Sequence, residues 1–396
     1  MGSSIPQPPG PLGDALVKLE PAWYLLRRKT TGTVALLLVI SGDQMKKFGQ
    51  VAISLGLTLL IGVILYLGVP DWGEAWRVMI QGRPAFLLAG FGFVMLHMVL
   101  RALRWGVLLS PVKLGIGLRN LFSLTLVKYV VNAIPPRVGE VAASVVLAKK
   151  EEIPAASVIA ASLLERILDM MTVVVIFGLY LIFCAQLYPA NSERGREIML
   201  TIQNYSVKGF IALCAAFFLL VFLLRKPHWM TKTPPWLQRI LRPFLEGFRA
   251  LQRGGVLFQA VLLSGLIWLT ISLQLWCLVR AYLFDFPFLG SVFIMAITVV
   301  GVAIPTPGGV GGFQFFMTLG LVHFFSQYLS AHDPHSQAAG ISNGSYLVSM
   351  VPVMIIGLIL MNREGLSLSR ISKISAQGQA GLPQPTCQED CPEKAN

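Results

Sequence analysis

Three charged residues interrupt one long apolar stretch of the chain, residues 155–187. They are Glu165, Arg166 and Asp169. Glu165 and Asp169 stand at positions i and i+4, which places them on one face of a helix, and Arg166 precedes Asp169 by less than one turn. A charge at the centre of a bilayer costs about 2.5–3.5 kcal/mol on insertion scales, so these side chains must pair or line a polar cavity. Two interpretations stay open: an ion pair that fixes helix packing, or a site for a lipid headgroup, an ion or a proton.

A second set of polar residues surrounds a helix-breaking segment. Asn132, Arg137 and Glu140 flank two adjacent prolines there. Helix ends leave backbone amides and carbonyls free. A guanidinium at such a break can hold a phosphate through two parallel hydrogen bonds, or it can neutralise Glu165 or Asp169. The two roles are compatible because an anionic ligand could compete for Arg137.

The segment 305–312 is a second helix breaker, rich in proline and glycine. Prolines remove amide donors and clash with the preceding turn, whereas glycines favour non-helical backbone. Gly308 and Gly312 also have the small-xxx-small spacing of packed membrane helices, but close packing alone does not account for the prolines. We therefore expect a broken backbone whose amides face a ligand. The residues assigned to this site are Pro305, Pro307, Gly308, Gly309, Gly311 and Gly312.

A third group of candidate residues, two arginines and a tryptophan, lies near the end of the apolar run at 84–109. Arg101, Arg104 and Trp105 are interpreted as snorkelling side chains and an interfacial indole, and Arg101 could also reach a lipid phosphate. Both arginines are therefore also candidate headgroup-binding residues. His97, one turn earlier, is expected to be a packed core histidine. The sequence contains no phosphate-binding glycine loop, zinc-ligand spacing or nucleophile constellation, so we predict no metal site, no cofactor and no catalytic residue.

The composition indicates what kind of protein must position these residues. Of 396 residues, 55% are hydrophobic and 13% are charged. Soluble domains carry about 25% charged residues, so this chain cannot build a water-exposed surface, and soluble enzyme folds are excluded. The formal net charge of +13 fits a membrane protein whose basic residues concentrate in cytoplasmic loops. We expect no nucleic-acid partner.

Hydrophobic runs predict the elements of the fold, since a spanning helix needs about 20 mostly apolar residues. Two further apolar regions, 114–150 and 288–329, are broken at the segments described above. Unpaired backbone at membrane depth is tolerated only inside protein or beside water, so we expect two re-entrant helical hairpins. The predicted fold is an all-α polytopic membrane protein with these hairpins and six spanning helices. The spans are expected at about 48–69, 84–109, 155–185, 205–225, 256–282 and 341–362.

Basic residues set the predicted orientation. They gather at 46–47, 113–150 and 225–253 and after the last span, whereas the loops 70–83 and 186–204 are balanced in charge. We therefore expect both termini in the cytoplasm and the protein in the cytoplasmic (inner) membrane. Each half then has the order span, span, hairpin, span, but the halves begin on opposite sides. That order predicts an inverted-topology repeat whose broken elements meet near the midplane.

Three segments follow from this organisation. Residues 45–362 form the membrane domain, with halves at 45–187 and 200–362. Residues 1–44 hold several prolines and an apolar run too short to span, so we expect a disordered extension or an upstream mis-start. Residues 363–396 are expected to be a disordered cytoplasmic tail, too short for a catalytic domain.

Four motifs together resemble the transmembrane region of lysylphosphatidylglycerol synthases, a family also described as flippase-like. The resemblance covers about 48–362. In fused members of the family, this membrane unit translocates an aminoacylated phospholipid and a separate soluble domain transfers the amino acid. The resemblance implies a stand-alone member without the transferase domain. The motifs are Arg101-x-x-Arg104-Trp105, Asn132-x-x-Pro135-x-Arg137-x-Gly139-Glu140, Glu165-Arg166-x-x-Asp169 and Pro305-Thr306-Pro307-Gly308-Gly309-x-Gly311-Gly312-Phe313-Gln314.

The leading hypothesis is a flippase that moves a polar-headgroup lipid, either a phospholipid or a polyprenyl-linked lipid, through a cavity between the hairpins. Arg137 would hold phosphate, while the carboxylates within 165–169 would balance Arg166 or a cationic headgroup. Two alternatives stay open: an intramembrane transferase, for which Asp71 and Glu74 are the acidic candidates, and an ion-coupled transporter of a small solute. A membrane lipid is the expected ligand. The possible protein partners are a second copy in a homo-oligomer and a separate lipid-synthesising enzyme.

Overall fold

The computed structural model describes residues 56, 59–63, 66–133, 138–183, 254–304 and 306–364. Every regular element within these ranges is a helix, and none is a strand. The predicted all-α polytopic class is confirmed at this level. The predicted span at 205–225, most of the span at 48–69 and nearly all of both terminal segments lie outside the described residues.

Four of the described helices are long and apolar enough to cross a membrane. They coincide with the predicted spans at 84–109, 155–185, 256–282 and 341–362. In chain order the helices are α1 (Trp72–Ile80), α2 (Pro84–Leu109), α3 (Leu118–Ala133), α4 (Val138–Glu151), α5 (Ala155–Phe183), α6 (Gly254–Arg280), α7 (Phe288–Ala303), α8 (Gly312–Phe324) and α9 (Pro334–Arg363). The long apolar ones are α2, α5, α6 and α9.

Helix α9 begins earlier than the sequence predicts, at Pro334 instead of about 341. The Asp333 side chain accepts a hydrogen bond from Ser336 N at 3.1 Å and so caps the helix. Pro334 occupies the first helical position, where a missing N–H leaves no intrahelical bond unmade. These start signals are local, and a prediction based on hydropathy does not weigh them.

Each of the two broken apolar regions forms a pair of short helices that pack together, α3 with α4 and α7 with α8. In the first pair, the Asn132 side chain of α3 accepts a hydrogen bond from Gly139 N of α4 at 2.8 Å. Gly139 also lies against the backbone carbonyl of Lys128, where a Cβ atom has no room. In the second pair, Gly301 and Gly312 bring the two backbones together in the same way. Small residues at these positions allow close helix packing.

The chain between α7 and α8 contains a short 3-10 turn at Pro307–Gly309. Gly308, Gly309 and Gly311 have φ angles of 63°, 73° and 86°. Residues with a Cβ rarely adopt such angles, so glycine is required here. The side chain of Gln314 accepts a hydrogen bond from Gly311 N at 2.8 Å, which fixes the start of α8. The helix break predicted for this segment is therefore present.

Ion pairs define one end of the helical bundle, which we call the basic end. Lys113 Nζ, after α2, donates to Glu151 Oε2 at the end of α4, at 2.7 Å. Lys150 Nζ donates to Glu364 Oε2, just past α9, at 2.8 Å. The α3–α4 pair therefore begins and finishes at the basic end.

Other polar contacts define the opposite end of α2. This helix has 26 residues, so at 1.5 Å per residue its two ends are about 39 Å apart. Arg83 N donates to Ala281 O at 2.9 Å, and Tyr282 Oη donates to Met79 O at 3.1 Å. These bonds join the start of α2, the end of α1 and the segment that leads into α7. The α7–α8 pair therefore begins at this end, so the two helix pairs enter the bundle from opposite ends.

Candidate functional site

Asp169 is the centre of a buried network of ionic contacts. Its carboxylate oxygens accept hydrogen bonds from Arg104 Nη1 at 2.7 Å and Arg101 Nη1 at 3.1 Å. Arg104 is fully buried, and its Nη1 also donates to Ser264 Oγ of α6 at 2.8 Å. The two arginines stand at i and i+3 on α2 and share one face of the helix. A single carboxylate on α5 can therefore contact both.

Glu165 lies one turn before Asp169 on α5 and continues the network. Its Oε2 is 3.2 Å from Lys128 Nζ of α3, and its Oε1 is 3.9 Å from Arg104 Nε. Lys128 Nζ also lies 3.4 Å from the centroid of the Trp105 ring, a cation–π contact that strengthens when it is shielded from water. Glu165 and Lys128 are both buried, so each charge needs the other for compensation.

Arg166 and Glu140 form the accessible edge of the network. Arg166 makes a direct ion pair with Glu140 of α4, and its Nη1 is 3.7 Å from Asp169 Oδ2. The Arg166 side chain is 45% exposed and that of Glu140 is 25% exposed. The other side chains of the network are at most 13% exposed. The Arg166–Glu140 pair is therefore the most open approach to the buried charges.

Cations outnumber carboxylates in the network. Among the residues that the structure describes, four cationic side chains contact three carboxylates. The Nε atoms of Arg101 and Arg104 and the Nη2 atom of Arg104 are buried and have no hydrogen-bond partner in the described part of the chain. Guanidinium N–H groups recognise carboxylate and phosphate oxygens. The network thus combines surplus positive charge with free donors, which suits an anionic ligand.

The interpretation of Arg104 and Trp105 as membrane-surface residues is wrong. Both are 0% exposed, so they are enclosed by the surrounding protein. Arg104 is directed to Asp169 because that carboxylate compensates its charge in the interior, and the Trp105 ring packs against Lys128. His97 is buried, with Nδ1 at 3.2 Å from the carbonyl oxygen of Phe93, as expected for a core histidine.

The structure brings most of the first predicted site together. Glu140, Arg166 and the two carboxylates of α5 form one connected set of ion pairs. Asn132 instead closes the α3–α4 pair through its hydrogen bond from Gly139 N. Arg137 lies outside the described residues, as does Pro305 of the second site, so their expected roles stay predictions.

The glycine-rich turn at Pro307–Gly309 packs against α3, the helix that carries Lys128. Tyr346 Oη of α9 donates to the carbonyl oxygen of Gly308 at 2.8 Å. Gly309 N donates to Thr306 O at 3.1 Å, and Gly311 N is bound by Gln314. Two of the glycine amides that were expected to face a ligand are therefore already paired within the turn.

Sequence reasoning missed Lys128 and Ser264. Lys128 is the one charged residue between Arg119 and Arg137, so an isolated charge inside an apolar arm was a signal that could have identified it. Ser264 carried no such signal, because serine is common in membrane helices and its role depends on which helix faces Arg104.

Apolar spanning helices around a buried ionic network define a polytopic integral membrane protein. The chain belongs to the family described as the lysylphosphatidylglycerol synthase TM region, whose model matches residues 50–357. The resemblance carried by the four motifs is thereby confirmed.

Two proteins, each described as a UPF0104 membrane protein, are similar to this chain along most of its length. The one from Methanothermobacter thermautotrophicus is 24% identical over 355 residues, which cover 82% of this chain and 98% of the relative. The one from Methanocaldococcus jannaschii is 22% identical over 326 residues, which cover 76% of this chain and 90% of the relative. Their descriptions agree with the membrane class and name no ligand.

Proposed function

We propose that this protein translocates a lipid with a phosphate-bearing, anionic headgroup across the membrane. The observation that carries the proposal is the surplus of cations in the buried network, together with the unpaired guanidinium N–H groups of Arg101 and Arg104. Ionisable residues inside membrane helices are costly and mark substrate or ion pathways. A phosphate would supply both the missing negative charge and the missing acceptor oxygens.

The exposed edge of the network supports a route for the headgroup. Arg166 and Glu140 are its most exposed members, and Arg166 also approaches Asp169. A phosphate that displaces Glu140 from Arg166 would be held next to the buried arginines. In this proposal the Arg166–Glu140 pair is the entrance, and Arg101 with Arg104 is the inner binding position.

The lengths of the paired helices support the proposal that both pairs are re-entrant hairpins. Helices α3 and α7 have 16 residues each, whereas α4 has 14 and α8 has 13. At 1.5 Å per residue the longest of them measures about 24 Å, which is shorter than the ~30 Å hydrocarbon core. Each pair therefore fits a hairpin that enters and leaves on the same side.

Helix packing supports the proposed inverted repeat. Helices α2, α3, α4 and α5 of the first half correspond in order to α6, α7, α8 and α9 of the second. The packing of α2 on α3, α3 on α4 and α4 on α5 is matched by α6 on α7, α7 on α8 and α8 on α9. Between the halves, α2 packs on α6, α3 packs on α9, and α7 packs on α5. Transporters with this arrangement bind substrate near the midplane, where the broken elements lie.

Charge supports an orientation with the basic end in the cytoplasm. Lys113 and Lys150 lie at that end, as does the end of α9 with Arg363. Both termini and the opening of the α3–α4 hairpin are then cytoplasmic, and the α7–α8 hairpin opens to the other side. We place the protein in the cytoplasmic membrane.

The local contacts of both candidate carboxylates argue against the transferase alternative. Asp71 caps α1, where its Oδ1 accepts from Gly73 N at 2.7 Å and Glu74 N at 3.1 Å. Glu74 forms an exposed ion pair with Arg77. Both candidate carboxylates thus have local structural partners on α1. The family takes its description from the membrane region of a lipid-modifying synthase. This description agrees with a lipid as the ligand.

Headgroup-resolved flipping in vesicles tests the proposal. Purified full-length protein is reconstituted into liposomes with a trace of phosphatidylglycerol that carries a fluorescent acyl chain, and dithionite added outside bleaches the outer leaflet. We expect the protein to make inner-leaflet label accessible, and to move a neutral glucosyl-diacylglycerol with the same labelled chain more slowly. Equal bleaching with and without protein would contradict the proposal. Chromatography of the recovered lipid separates flipping, which leaves it unchanged, from a transferase reaction.

A further inference from the structure

A groove of about 360 Å³ lies between α1 and α9, away from the ionic network. Trp72 and Trp76 of α1 line it on one side, and Asn343 and Tyr346 of α9 line it on the other. Gln314 of α8 contributes to the same lining. Its volume is within the range of ligand pockets, about 300–1,000 Å³.

The polar groups of this groove are neutral, and some are unpaired. Gln314 is 7% exposed; its Oε1 accepts from Gly311 N, and its Nε2 has no hydrogen-bond partner in the described part of the chain. The Asn343 side chain, which is half-buried, makes no hydrogen bond to any described residue. Tyr346 Oη donates to Gly308 O and keeps its acceptor capacity. An amide can donate and accept at once, so these side chains match a ligand that does both.

The groove differs from the ionic network in charge. Its described lining contains no Lys, Arg, Asp or Glu, whereas the first half of the protein concentrates those residues at Asp169 and its partners. An anion has no electrostatic reason to enter the groove. A neutral group that carries hydroxyls can exchange hydrogen bonds with amides, and it loses less on leaving water than a charge does.

The tryptophans favour a ligand with flat apolar faces as well as hydroxyls. Trp72 and Trp76 stand at i and i+4 on α1, so both indoles lie on one side of the helix. Indole rings supply large apolar faces on which the C–H groups of a polyol or sugar can pack. Trp76 is 61% exposed, so its indole face is accessible, whereas the Trp72 ring stacks on Tyr66.

We propose that this groove binds the uncharged, hydroxyl-bearing part of the headgroup of the transported lipid. This assignment rests on the proposed function, which identifies the ligand as a transported lipid. Its chemical class is a lipid-linked polyol, and a glycerol headgroup and a sugar headgroup share this chemistry. The two sites then recognise different parts of the lipid at separate positions along its route: the ionic network binds phosphate, and the groove binds hydroxyls.

Native mass spectrometry of the full-length protein tests this assignment with lipids of identical acyl chains. Phosphatidic acid offers phosphate alone, glucosyl-diacylglycerol offers hydroxyls alone, and phosphatidylglycerol offers both. We expect Asn343→Leu, which removes the amide at similar volume, to lower retention of the two hydroxyl-bearing lipids roughly three- to tenfold, the effect of about one hydrogen bond. Retention of phosphatidic acid should not change. Gln259→Leu, which removes an exposed amide from a different cleft, is the matched control and should change none of the three.

Several outcomes would overturn the assignment. It is wrong if the wild-type protein retains glucosyl-diacylglycerol no better than diacylglycerol, or if Asn343→Leu lowers retention of all three lipids equally. If Asn343→Leu does not fold, Trp76→Leu on the exposed face of α1 must give the same selective loss. Failure of phosphatidic acid to bind, with glucosyl-diacylglycerol retained, would refute the ionic network as a phosphate site and leave the groove intact. The hydroxyl-bearing lipid whose retention Asn343→Leu lowers more identifies the source, sugar or glycerol.

Discussion

Replacing Asp169 with alanine should destabilise the folded protein strongly. Its carboxylate compensates both Arg101 and Arg104. In the variant, Ser264 Oγ is the one hydrogen-bond partner left to the buried Arg104 among the described residues, and the nearest described carboxylate, that of Glu165, is 3.9 Å from Nε. Removing one partner of a buried ion pair costs about 3–5 kcal/mol. Because Glu165 still offers partial compensation, we expect the lower part of that range, about 3 kcal/mol.

Arg166→Ala is the matched control for this prediction. It removes another partner of Asp169, at 3.7 Å, but from a side chain that is 45% exposed. Exposed ion pairs contribute about 0.2–1 kcal/mol, so the control should lose less than about 1 kcal/mol. The measurement is the free energy of unfolding from titration with dodecyl sulfate in mixed micelles, compared among wild type, Asp169→Ala and Arg166→Ala.

A double-mutant cycle tests whether the loss is electrostatic. The side chains of Asp169 and Arg104 are 2.7 Å apart in the wild type. The double variant Asp169→Ala/Arg104→Ala should therefore lose less unfolding free energy than the sum of the two single variants, by about 0.5–3 kcal/mol. Additive losses, or an Asp169→Ala variant as stable as Arg166→Ala, would refute the reasoning.

Three further predictions address the hairpin, the basic end and the orientation. Gly312→Ala should cost about 1–3 kcal/mol of unfolding free energy, because its Cβ would meet the backbone of α7; Gly265→Ala, which faces open space, is the control and should leave that free energy unchanged or higher. Hydrogen bonds from Lys113 and a neighbouring asparagine hold the pKa of Glu151 below its usual range. The stability that this depressed pKa contributes is present above the pKa of the unfolded state and is lost as the pH falls toward the pKa of the folded state. In thermal melts from pH 7 to pH 4, the melting temperature of Glu151→Gln should therefore fall less than that of the wild type. A cysteine at His332, in a background without native cysteines, should react with an impermeant maleimide added outside intact cells; reaction only after permeabilisation would reverse the proposed orientation.

The long elements of this fold could be predicted because they depend on local composition. The ranges 84–109 and 155–185 closely match α2 and α5, since a run of about 20 apolar residues has few alternatives to a helix in a membrane. The break at 305–312 was predictable for a similar reason, because proline and glycine act on their own backbone.

The pairing of the site could not be predicted in the same way. Glu165 and Asp169 were recognisable as a costly pair of charges, but their partners come from α2 and α3, and sequence spacing carries no information on which helices face each other. Arg104 has the spacing of a snorkelling residue, yet it is 0% exposed, because packing against α5 places a carboxylate beside it. The partner of Lys128 could not be predicted for the same reason, because Glu165 is on another helix.

The central claim is that the buried guanidinium groups bind the phosphate of a transported lipid. The most direct measurement is dithionite-detected flipping of acyl-labelled phosphatidylglycerol by the Arg101→Lys variant, which keeps the charge but loses the planar donor fork. Arg363→Lys, at the far end of α9, is the control. We predict that Arg101→Lys folds with wild-type unfolding free energy to within about 1 kcal/mol and flips about tenfold more slowly, as expected for one lost charge-assisted hydrogen bond. A folded Arg101→Lys variant that flips at the wild-type rate would contradict the claim and leave the network as a structural set of ion pairs.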